Sequence, residues 1–210
     1  MPLIGRGPLV RAVTVLLGAV LVLGGCSADE SPPSPEPTPT PSATPPEPPE
    51  AAPLKVGITH VAGRIPRRAR KANRARIARL VGSYVDGAFL GDFPRTSYAG
   101  AWDGFTRAAK RRARADRGIL THADRGARIA AVHPVRQEVR VQALAPQGRI
   151  VGGTARVRLV LRVTHTDDTV QRVRIAGRLL LTRGPDRRLK IFGYDLRRSA
   201  GPLRTPGGGA

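Results

Sequence analysis

Ala155-Arg156-Val157-Arg158-Leu159-Val160-Leu161-Arg162-Val163 sets an apolar residue at every second position and an arginine at most of the positions between. A period of two is the signature of a strand with one face buried and one face wet. The same pattern recurs on both sides. Before it, Val135, Val139, Val141 and Ala143 alternate with Arg136, Glu138, Arg140 and Gln142. After it, Val173, Ile175, Leu179 and Leu181 alternate with Arg172, Arg174 and Arg178, and a shorter apolar run covers Leu189 to Leu196. Ile129 to Val132 is either a separate strand or a continuation of the first across a bulge at Pro134. Turn residues separate the runs: Gly148 and Gly152-Gly153, Asp167-Asp168, and Gly184-Pro185-Asp186. Connections this short join antiparallel neighbours.

Upstream the period lengthens. After Pro66, a natural first-turn residue, Ile77, Leu80, Val81, Tyr84, Val85, Ala88 and Phe89 fall three and four apart and predict one buried helical face. Gly91 and Pro94 end that helix. A second helix is predicted from Ser97 to Gly118, with Tyr98, Trp102, Phe105 and Ala109 on its core side. The expected class is α+β: N-terminal helices packed on one face of an antiparallel sheet of about four strands.

The N-terminal quarter has a different character. Arg6 and Arg11 precede an apolar run from Ala12 to Leu23, twelve residues long, which suits a signal peptide and falls short of the ~20 residues of a membrane span. It ends in Leu23-Gly24-Gly25-Cys26, the pattern of a lipobox, and Cys26 is the chain's only cysteine. Residues 1–25 are therefore expected to be removed, leaving Cys26 to carry diacylglyceryl and acyl (palmitate-type) chains that hold the protein at the cell membrane. From 26 to 53 the chain is rich in Pro, Ser, Thr and Glu. Proline removes backbone donors, so this stretch is expected to be a disordered tether, either a plain spacer or one glycosylated on Thr38, Thr40 and Thr44. The folded domain is expected over 54–200 and a Gly/Pro-rich tail over 201–210.

Charge is the second strong signal. Between Leu54 and Arg204 stand 34 basic and 10 acidic residues. One concentration is Arg67, Arg68, Arg70, Lys71, Arg74, Arg76 and Arg79. Another is the polar side of the sheet, where Arg136, Arg140, Arg156, Arg158, Arg162, Arg172, Arg174 and Arg178 share a face by alternation. Such a face suits anionic lipid headgroups or envelope polymers; equally, it is what a GC-rich gene writes at solvated positions. Nucleic acid is the weaker target, because the arginines are not interleaved with stacking aromatics.

Helix, helix and a long four-stranded sheet resembles the NTF2-like (cystatin-like, cone-shaped) fold. Tyr84-Val85-Asp86-Gly87-Ala88-Phe89, Phe105-Thr106 and the closing Leu189-Lys190-Ile191-Phe192-Gly193-Tyr194-Asp195 resemble small actinobacterial lipoproteins and Mce-associated proteins of that class. The resemblance covers about residues 64–198 and implies a curved sheet closing a cone. Some relatives are isomerases or hydrolases that use polar residues inside the cone. On that reading Asp195 and Tyr84 are the catalytic candidates, with Asp195 placed by alternation on the side of Leu189 and Ile191. At a strand end in water, or beside an arginine, Asp195 would have no such role. No phosphate loop, nucleophile elbow or metal-ligand spacing is present. His165, Asp167 and Asp168 fall in a turn, and no metal or cofactor is expected. The leading expectation is an extracytoplasmic, lipid-anchored protein with a binding or assembly role at the envelope, whose partners are lipids, envelope polymers or envelope proteins. The alternative is a small-molecule-binding or isomerase-like enzyme.

Overall fold

The computed structural model describes residues 50–203; the leader, Cys26 and most of the tether lie outside the described residues. The described residues fall in one compact unit with a single apolar core. Strand β1 (Leu54–Gly63) leads into helix α1 (Arg67–Phe89). A 3-10 turn (Ala99–Trp102) and the short helices α2 (Arg107–Ala115) and α3 (Arg117–Leu120) follow, then β2 (Ile129–Ala145), β3 (Gly152–His165), β4 (Val170–Arg183) and β5 (Leu189–Pro202). The sheet order is β1-β2-β3-β4-β5, with β1 parallel to β2 and every other pair antiparallel.

The class is α+β as expected, but the sheet has five strands and the helices sit mid-chain. A parallel pair needs a long crossover, and α1 to α3 supply it. Strand β1 hides in the sequence because Thr59 is a bulge: the partners shift between Ile58 and His60, so Val56, Ile58 and Val61 do not alternate. The sheet network begins just before it. Ala52 N–H donates to Pro134 O at 2.9 Å, and the buried Gln137 amide donates to Ala52 O at 2.7 Å.

Helix α1 forms where its apolar spacing places it and buries Ile77, Val81, Tyr84, Val85, Ala88 and Phe89. The second predicted helix does not form as one piece. Gly104 to Thr106 are taken by β5 instead: Ile191 N–H donates to Gly104 O at 2.8 Å, and Thr106 N–H to Ile191 O at 2.9 Å. A backbone extended for that bridge cannot be helical, so α2 starts afterwards, with the Thr106 hydroxyl capping Ala109 N–H. Gly118, the expected stop, lies inside α3. The aromatic stripe is buried nonetheless. Trp102, Phe105, Tyr84, Phe89, His122 and Phe93 form an unbroken chain of edge-to-face contacts with centroids 5.4–5.9 Å apart.

Two more bulges decide which side chains face where. Strand β2 runs on through Pro134, and Val135 is the extra residue, half exposed rather than inward. In β5 the partners jump from Leu180↔Gly193 to Leu181↔Ile191, so Phe192 is unpaired and the in–out alternation reverses there. Ile191 points to the core, and so do Tyr194, Leu196 and Arg198. Among the described residues no helix is long and apolar enough to cross a membrane.

Candidate functional site

The outer face of the sheet is read row by row from the register. Arg140, Arg156 and Arg178 lie side by side on β2, β3 and β4. Arg162 lies opposite Arg172, Arg158 opposite Ala176, and Val160 between Arg136 and Arg174. All eight predicted arginines are exposed on one face. The β5 bulge adds Arg197, which sits opposite Ala176.

Like charges directly opposite one another destabilise a sheet, and few acids relieve them. Glu138 is held between Arg136 and Arg140, 2.6 Å from each. Hydrogen bonds from Arg140 and then Arg136 hold its carboxyl below the usual range. Asp195 pairs with Arg178 at 2.7 Å. Arg156, Arg158, Arg162, Arg172 and Arg174 have no acidic partner within 4.0 Å among the described residues.

That placement corrects the side expected for Asp195 from alternation and matches the other alternative, in which it sits beside an arginine. Alternation counted from Leu189 runs unbroken only if no bulge intervenes. The extra residue Phe192 sends Asp195 to the outer face, half exposed, where the Arg178 hydrogen bond depresses its pKa instead of burial raising it. Tyr84 is on the other side of the sheet, fully buried, its hydroxyl donating to Leu120 O at 2.9 Å. Burial pushes its pKa up. The two candidates of the enzyme reading therefore do not meet.

Sequence reasoning missed a buried polar cluster at the end of the sheet beside α3. Arg198, turned inward by the bulge, donates Nη1 to Gly118 O (3.2 Å) and Thr121 O (3.0 Å), and places Nη2 3.1 Å from His122 Nδ1. His122 is fully buried, and its pKa is lowered to about 3, first by burial and then by Arg198, Arg95, His165 and Arg125. His165 Nδ1 lies 3.2 Å from Arg128 O. Arg95 stacks on both Phe93 and Tyr98. These residues come from five separate segments, so nothing in their spacing announces them. Asp167 does what turn residues do: its Oδ1 accepts from Thr169 N–H and the Thr169 hydroxyl.

The basic approach to α1 forms one wall of a groove of about 730 Å³ against β1, lined by Arg64, Arg67, Arg70, Lys71 and Arg74. No family model, curated protein or solved structure matches this chain.

Proposed function

We propose that this chain is an exported lipoprotein, anchored through Cys26 at the outer surface of a cell membrane, whose domain binds polyanionic envelope material on the arginine face of its sheet. An NTF2-like cone remains our reading of the helices and sheet. One observation carries the functional reading: five arginines on a single face with no acidic partner among the described residues, two of them, Arg162 and Arg172, directly opposite each other. Cross-strand repulsion of this kind is relieved when an external anion supplies the counter-charge.

Each basic residue near an anionic leaflet contributes about 1 kcal/mol, and the attraction fades beyond a Debye length of about 8–10 Å. Residues 47–203, which lack Cys26, should therefore sediment with phosphatidylglycerol-containing vesicles at low salt and release as salt is raised. Replacing Arg156, Arg158 and Arg174 by Gln should weaken that binding roughly 100-fold without lowering the melting temperature, since the Arg156 change also removes repulsion from Arg140 and Arg178. Equal binding to neutral vesicles, or a triple variant that binds as before, would make the arginines a solvated face only. In cells, Cys26→Ala should move the full chain out of the processed membrane fraction; unchanged fractionation would remove the anchor from the proposal.

A further inference from the structure

The outer face is not uniformly basic. Its run of arginines ends at the row Arg140–Arg156–Arg178, and the next two rows toward the turns are Gln142–Thr154–Leu180–Gly193 and Leu144–Gly152–Thr182–Lys190, where Lys190 is paired with Asp186 at 2.9 Å. Gly152 and Gly193 carry no side chain, so Leu144, Leu180 and Phe192 stand as the walls of a shallow groove of about 720 Å³. Among the described residues, Leu144 is 50% exposed and Phe192 44%, two of the four large apolar residues most open to water. Phe192 is held outward by construction. It is the unpaired residue of the β5 bulge, and Arg112 donates to its carbonyl at 3.2 Å, setting a cation beside the patch.

We infer that this end of the face inserts into lipid: the domain docks on an anionic bilayer with Phe192, Leu144 and Leu180 in the headgroup–acyl boundary and the arginine rows on the headgroups. The inference rests on the proposed anion-binding role of the same face, and it selects a bilayer over a soluble polymer. Leu144, Leu180 and Phe192 line one groove together with Thr154, Thr182 and Arg183. Aromatic and leucine side chains flanked by arginine are the composition that lies in the membrane interface. A polyanion dissolved in water offers phosphates but no low-polarity phase for a phenyl ring, whereas an anionic bilayer offers both at the spacing found here. Leu180 is two residues from Arg178 along β4, about 7 Å. A second copy of the chain does not suit the face, because it would set one arginine array against another.

The test uses residues 47–203, which contain no cysteine. Phe192→Cys and, as a control in the arginine rows, Ala176→Cys are labelled with an environment-sensitive fluorophore and mixed with phosphatidylglycerol/phosphatidylcholine vesicles. The label at 192 should shift to the blue and be quenched by lipids brominated on their acyl chains, while the label at 176 stays in a polar environment. The unlabelled double variant Leu144→Ser, Phe192→Ser should bind these vesicles about tenfold more weakly and bind polyphosphate as the wild type does. If the label at 192 is not quenched and the double variant holds vesicles normally, while the arginine triple variant still loses them, insertion is wrong and the anion-binding reading stands. If the triple variant also binds normally, both fall.

Discussion

Arg198→Leu should lower the stability of the domain by about 3–5 kcal/mol, read from the urea midpoint of residues 47–203. The leucine matches the apolar part of the site but leaves the carbonyls of Gly118 and Thr121, and Nδ1 of His122, without their donor. A buried polar group stripped of its partner costs about 1–3 kcal/mol, and Thr121 and His122 are fully buried. Arg198 also ties β5 to the turn after α3, as the Tyr194 hydroxyl ties it to Asp116 before α3 at 2.6 Å. Arg198→Lys, which carries the charge but cannot fork to three acceptors, should recover only part of the loss. A variant with an unchanged midpoint would show that the cluster adds nothing to the fold.

The same cluster fixes how stability responds to acid. His122 titrates near 6.5 when unfolded and only at about 3 in the folded domain, because it is buried and faces Arg198, Arg95, His165 and Arg125. Between those values the unfolded chain binds a proton that the folded chain does not. This contribution is therefore complete above pH 6.5 and is lost as the pH falls toward 3, by at most about 1.4 kcal/mol per pH unit. His122→Gln should flatten that limb of the stability curve.

Much of the domain was legible because one-faced burial writes itself into the chain. Val157, Leu159 and Leu161 face the core since β3 has core on one side and water on the other, and the eight outer arginines of β2, β3 and β4 follow from that period. Helix α1 was legible for the same reason at a different period. The losses have one common cause: partners distant in sequence override local pattern. Strand β1 gains its place by pairing with β2, some 80 residues away, and its bulge at Thr59 erases the alternation. Gly104 to Thr106 leave the helix because β5 claims their backbone. A single inserted residue, Phe192, then reverses every later side chain of β5. It moves Asp195 out to Arg178, Arg198 in to His122, and Arg197 onto the basic face. Gly193 beside it was the available sign, since a glycine inside a strand often marks a bulge.

A glycine also holds that arrangement in place. Gly177 sits on β4 between Val157 and Leu196, at φ +146°, a backbone state that side chains rarely adopt. A Cβ there would overlap the Asp195 carbonyl and lie 2.9 Å from Leu196 Cα. Gly177→Ala should therefore cost about 3–5 kcal/mol, part from the forced dihedral at about 1–3 kcal/mol and part from separating the two strands at a similar amount. Gly201→Ala, on the adjacent strand with nothing within 4 Å of its Cβ, should stay within about 0.5 kcal/mol and serves as the control. The consequence extends to the outer face. Arg178 is the next residue, its partner Asp195 carries the overlapped carbonyl, and β5 brings Arg197 and Phe192 with it. If the face works as one surface, Gly177→Ala should also weaken vesicle binding at temperatures where the domain is still folded. A melting curve that coincides with that of Gly201→Ala would show that β4 and β5 are not packed as tightly as this register requires.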